Sequence, residues 1–135
     1  MVDRERQVGE RPAKIEHFTQ LEVWQISHQM FLSVVRDLDS LPRSRIAAIL
    51  ADQVLRSIGS IGANIAEGFN RSKAKFLNSL EIALGETHES ENWLYKLRDA
   101  HLMEAQRANE HVRQCIRIGK MLSALIHSIR SRPGP

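Results

Sequence analysis

Six histidines, one cysteine and sixteen Asp/Glu residues stand in this chain of 135 residues. They are the raw material for metal or nucleophilic chemistry. A metal site on helices needs ligands three or four residues apart on one face. His88 with Glu89 or Glu91 approaches that spacing, and His111 with Cys115 is an i, i+4 pair. There is no His-Glu-x-x-His, and no repeated Glu-x-x-His of the kind a di-metal carboxylate bundle needs twice. The histidines therefore read as structural or surface residues, with His28 half-buried and satisfied by a neighbour. Cys115 falls on an apolar helical face, where a free thiol behaves as a small hydrophobe. No serine sits in a Gly-x-Ser-x-Gly elbow. Gly59-Ser60-Ile61-Gly62 lies inside a helical pattern with no Lys-Ser/Thr behind it, so it is no phosphate loop. The expectation is a protein without catalytic residues, metal or cofactor, and not an enzyme.

Two other patterns carry polar chemistry. Arg56, Ser60, Asn64 and Glu67 step by four, four and three, which lines one helical face, and Arg71 follows just past Gly68. Such a set reads either as a binding site or as a buried hydrogen-bonded network that fixes helix register or a subunit contact. The network is the preferred reading, with Glu67 neutralised by Arg56 or Arg71. The second pattern is basic. From Arg107 to Pro135 there are six Lys/Arg and one acid, net +5, and Arg113, Arg117 and Lys120 share one solvent face. Arg71, Lys73 and Lys75 form a second cluster at a helix start, where cations oppose the helix dipole and an anionic partner would relieve them. From Glu81 to Glu104 there are six acids and two bases, net −4. Basic and acidic faces can mate between subunits, or the basic face can meet phosphate backbones. A charge run can equally be only a solvated face.

The elements that position these residues are helical throughout, since no stretch sustains period-two alternation. Leu21, Trp24, His28, Phe31, Val35 and Leu38 form one stripe and predict a helix over about 18–40, bounded by Leu41-Pro42. Leu50, Val54, Ile58, Ile61 and Ile65 predict a second helix over 45–68. A small-residue stripe of Gly59, Gly62, Ala63 and Ala66 beside it would let another helix approach closely. Gly68 stands where a left-handed C-terminal cap belongs. Asn70 or Ser72 can cap a third helix running to about Leu102, its stripe interrupted by the polar run Glu86–Glu91. Asn109 is a cap or turn residue before the last helix, whose stripe is Val112, Cys115/Ile116, Gly119, Leu122, Leu125/Ile126 and Ile129. Four amphipathic helices with short loops predict an all-α, up-down-up-down antiparallel bundle over 15–130. Residues 1–14 read as a disordered lead and 131–135 as a disordered tail. Val23, Ile26, Met30, Ile118 and Met121 fall off the main stripes, which points to self-association.

Composition sets the outer bounds. The net charge is +3, charged residues make up 26% and aromatics only 5%. One cysteine cannot form an internal disulfide and fits a reducing compartment. The longest apolar run, Ile46 to Ala51, is far below the roughly 18 residues of a membrane span. The mixed-charge N-terminus is no secretory signal. Cytoplasm, with no membrane contact, is the expectation.

The motifs resemble those of a known family. Leu21-Glu22-Val23-Trp24-Gln25 with Ser27-His28 resembles its opening motif. Gln53, Arg56 and the segment Ser60-Ile61-Gly62-Ala63-Asn64-Ile65-Ala66-Glu67-Gly68, then Arg71, resemble its central motif. Phe76-Leu77 and Ala83-Leu84-Gly85 resemble its third-helix pattern. These are the marks of the four-helix bundle proteins of 23S rRNA intervening sequences, matched over about 17–129. The resemblance implies a ring-like homopentamer without established enzymatic activity. The accessory variability proteins of diversity-generating retroelements are similar in fold, and they bind nucleic acid and a reverse transcriptase. By that analogy RNA or DNA and a protein partner are expected, or else a purely structural oligomer. Gly62 departs from the family's usual proline, and both residues favour a bend. Thr87 and Ser90 make the middle of the third helix more polar than the family pattern.

Overall fold

The computed structural model describes residues 14–133. It is an all-α four-helix bundle of α1 (Glu22–Leu38), α2 (Arg45–Gly68), α3 (Lys73–Asp99) and α4 (Ala105–Arg130). The connections are short, so consecutive helices are antiparallel neighbours, and α1 closes the bundle against α4. The expected lead at 1–14 lies outside the described residues except for Lys14. Of the expected tail, Ser131 and Arg132 bond back to the carbonyls of His127 and Ile129, and residues 134 and 135 are not described.

The single-helix expectation over 18–40 is corrected. Leu21 is extended (φ −73°, ψ 128°) and divides a 3-10 turn, Phe18–Gln20, from α1. The buried face of α1 is also not the expected one. Val23, Ser27, Met30 and Val34 face the core. Trp24 and Phe31 are half-buried, Val35 is exposed, and His28 is exposed and stacked on Trp24 at 4.7 Å. Apolar residues lie on two sides of α1, and the stripe with the larger side chains covers the flank of α2 rather than the centre.

That flank is the small-residue stripe. A Cβ on Gly62 would lie 3.3 Å from Trp24 Nε1, and one on Gly59 3.6 Å from Phe31 Cε1. The glycines admit the α1 aromatics, and α2 runs through Gly62 as one helix from Ser44, its N-cap, to Gly68. Val54, Ile58, Ile61 and Ile65 are buried as expected. By length and composition α2 could cross a membrane, but this stripe is packed into the bundle core.

Gly68 does not serve as a left-handed cap. The left-handed residue is Asn70 (φ 63°). Gly68 is needed for closeness instead, because a Cβ there would lie 2.5 Å from Ser79 Cβ on α3. Ser72 caps α3 by accepting from the Lys75 amide. Thr87 and Ser90, in the polar middle of α3, are buried and satisfied. Thr87 Oγ1 donates to the Ala83 carbonyl at 2.8 Å, and Ser90 Oγ donates to Ser57 Oγ at 2.8 Å.

The third helix ends at Asp99 rather than near Leu102. His101 is left-handed (φ 60°), so the Leu102 and Met103 amides turn back onto the Leu97 carbonyl. This is the geometry glycine usually supplies at a helix end. The last helix begins at Ala105, four residues before Asn109. Asn109 is no cap; its side-chain oxygen accepts from Arg98 Nη1 at 2.8 Å. Ile118, expected off the stripe, is fully buried, and Ile116 is exposed.

Candidate nucleic-acid interface

The helical period of α4 places Arg113, Arg117 and Lys120 together on its outer face, opposite Cys115, Ile118 and Leu122. All three are exposed, and among the described residues none pairs with a carboxylate. Arg113 and Arg117 border a groove toward α1, and Lys120 borders one toward α3.

The start of α3 behaves differently. Arg71 and Lys75 are exposed, but Lys73 is half-buried and its ammonium donates to the Arg132 carbonyl at 2.6 Å. The lysine thus caps the C-terminal end of α4, where a cation is favourable. Arg130 pairs with Glu81 across the same end. The two expected basic clusters therefore differ: the α4 stripe is open, and the α3 cluster is partly spent on tying α3 to α4.

The polar face of α2 does not close into one network in this chain. Ser60 Oγ donates to the Arg56 carbonyl at 2.9 Å and Asn64 Nδ2 to the Ser60 carbonyl at 2.8 Å, both within their own helix. Arg56 Nη2 donates to Gln53 Oε1. Arg56 and Glu67 are exposed, and Glu67 forms no ion pair with Arg56 or Arg71 among the described residues. Nearby, Glu86 carries a buried carboxylate oxygen, Oε1, with no hydrogen-bond partner among the described residues. Burial and the neighbouring Glu89 charge raise its pKa, against the opposing pull of Arg56. The other α3 acids are partly occupied: Glu89 accepts from Trp93 Nε1 and Glu91 from the Tyr95 hydroxyl.

One cluster escaped the sequence. Asp37 of α1 accepts from His111 Nε2 at 2.6 Å and from Arg107 Nε at 3.0 Å. Arg107 Nη1 also donates to Glu110 at 2.6 Å. His111 is only 2% exposed, whereas the Asp37 and Arg107 side chains are 22% and 41% exposed, so this is a part-buried polar clamp between α1 and α4. Burial alone would raise the pKa of Asp37; the hydrogen bonds and charges of His111 and Arg107 outweigh it and hold the carboxyl below its ordinary value. Asp37 lies 70 and 74 residues from its partners, and no local spacing signals such a contact.

His111 and Cys115, an i, i+4 pair in sequence, are both buried, and burial pushes the Cys115 thiol far above the ordinary thiol range. A thiol so disfavoured as thiolate is a poor nucleophile and ligand. Among the described residues no three His, Cys, Asp or Glu side chains gather into a metal set.

Fold and site together define an all-α bundle with an open basic stripe and no catalytic constellation among its described residues. The model of the 23S rRNA-intervening sequence proteins matches residues 19–124, and the chain belongs to that family. It is also similar to the crystal structure of a protein with unknown function from the S23 ribosomal protein family of Bacteroides thetaiotaomicron. The two share 31% identity and a TM-score of 0.72, over 77% of this chain and 97% of that one. No curated protein matches the chain.

Proposed function

We propose that this protein is a non-enzymatic, cytoplasmic homopentamer that serves as an adaptor for RNA or DNA. The α4 stripe of Arg113, Arg117 and Lys120 forms the contact surface, assisted by the exposed Arg71 and Lys75, while Lys73 stays engaged at the end of α4. The observation that carries this reading is the openness of the stripe: three cations on one face, none neutralised within the described chain. Such a surface binds phosphate backbones with little sequence preference and strong salt dependence. The pentamer rests on what the family resemblance implies, and a reverse transcriptase as protein partner rests on analogy of fold with the retroelement accessory proteins.

The test is binding of duplex and structured RNA at increasing salt. Three phosphate contacts give a log–log slope of about −3 on a duplex. Submillimolar binding at low salt is expected, with loss when Arg113, Arg117 and Lys120 are all replaced by Glu. Unaltered binding in that variant removes the stripe from the interface. Light scattering on the same samples reports the subunit number.

A structural oligomer without nucleic-acid affinity is the second reading. It is favoured by exposed isoleucines: Ile46 at 66% and Ile49 at 51% on α2, and Ile82 at 45% on α3. Pentamers that ignore RNA at low salt would establish it.

A further inference from the structure

The groove between α1 and α4 has a volume of about 430 Å³. Its α4 wall carries Arg107, Arg113, Gln114 and Arg117, and its α1 wall carries Gln29 and Ser33. Glu110 is the one carboxylate in the lining, and it is already bound to Arg107 Nη1. Asp37, just behind, takes Arg107 Nε. Both acids therefore fix one guanidinium and leave Arg113 and Arg117 unneutralised. Among the described residues the remaining nitrogen, Arg107 Nη2, reaches only Ser33 Oγ at 3.5 Å, the outer limit of a hydrogen bond. The side-chain amides of Gln29 and Gln114 have no hydrogen-bond partner among the described residues.

The groove thus collects donors in excess of acceptors: one guanidinium oriented by its acids, two free ones, and two amides on facing helices. A tetrahedral oxyanion accepts from several such donors at once, and arginine suits it in charge and planar shape. We infer that this groove is a seat for a single phosphoryl group. It goes beyond the exposed stripe proposed above, sharing Arg113 and Arg117 but adding Arg107 and a wall from α1. Inorganic phosphate, a nucleotide and a nucleic-acid strand all offer the same group.

The test is a nuclear magnetic resonance titration of the full chain, following arginine Nε–H and glutamine side-chain amide signals. The probes are inorganic phosphate, adenosine monophosphate, and sodium chloride at matched ionic strength. Saturable shifts at Arg107, Gln29 and Gln114 are expected with phosphate and not with chloride. Gln29→Glu places a carboxylate on the exposed α1 wall and should weaken phosphate binding roughly tenfold. Lys120→Glu, on the far side of the stripe, should change it by less than about twofold while reducing RNA binding. Shifts that chloride reproduces, or that Gln29→Glu leaves unchanged, overturn the seat. RNA binding without saturable phosphate binding sinks the seat and spares the stripe; the reverse pattern spares the seat and sinks the stripe. Given a seat, stronger binding of 5′-phosphorylated than 5′-hydroxyl RNA assigns it to a terminal phosphate, and equal binding to the backbone.

Discussion

Asp37 and Glu86 are both acids turned toward a neighbouring helix, and they live in opposite conditions. Asp37, on the α1–α4 seam, is 22% exposed at its side chain and receives donors from His111 and Arg107. Glu86, on α3 near Arg56 of α2, buries an oxygen that receives nothing. The first pKa is lowered and the second raised. A carboxylate can therefore hold a seam together or strain it, and the outcome turns on donors rather than on burial.

The two acids also give stability opposite slopes with pH. For Asp37 the folded pKa lies below the ordinary 3.8. Its contribution is complete above that value and is lost as pH falls through the folded pKa. For Glu86 the folded pKa lies above the ordinary 4.5. The folded state binds that proton more tightly, so stability is fullest below 4.5 and is lost as pH rises through the raised pKa.

The largest effect on the comparison should come from sterics on the α2–α3 seam. Gly68→Ala sets a Cβ 2.5 Å from Ser79 Cβ. Overpacking of this kind should cost about 2–3 kcal/mol, read as a lower urea midpoint. A neutral result would mean that this seam yields as easily as the polar one. Next, Asp37→Asn should cost about 1–3 kcal/mol at pH 7 by leaving Arg107 and His111 undercompensated. Its deficit should shrink toward zero in acid; a deficit constant with pH would show that packing, not charge, sets the clamp. Glu86→Gln should stabilise by up to about 1 kcal/mol at pH 7 and by nothing near pH 3. Destabilisation there would reveal a donor for Glu86 and break the contrast. Smallest is Gly85→Ala, where a Cβ meets nothing within 4 Å. The gain should be about 0.5–1 kcal/mol from helix propensity, visible as a raised Tm.

The sequence discloses those elements whose pattern is strong and local. The extent of α2 over 45–68 and its buried isoleucines follow from periodicity, although Gly68 is not the left-handed cap its position suggested. The exposed α4 stripe follows from spacing alone. Where two faces of a helix are apolar, as in α1, the pattern does not say which one meets the core, and Val23, Met30 and Val34 prove to be buried. Gly68 shows that a glycine near a helix end has two explanations, conformation and closeness, which only the neighbouring helix separates. His101 takes a left-handed turn that no glycine marks. The Asp37 clamp joins residues far apart in the chain, and nothing in either segment announces it.

The disparity in helix length has a consequence for how the molecule breathes. With 17 residues, α1 spans about 26 Å, whereas α3 with 27 spans about 40 Å. α1 gives Val23, Met30 and Val34 to the oily interior and adds two aromatic rings on a glycine track and one ionic clasp, while α2, α3 and α4 share the greater part of that interior. Detaching the short rod therefore forfeits less than dismantling the remaining trio. In deuterium exchange its amides should open first and as a block, with the other three rods retaining their protons longer.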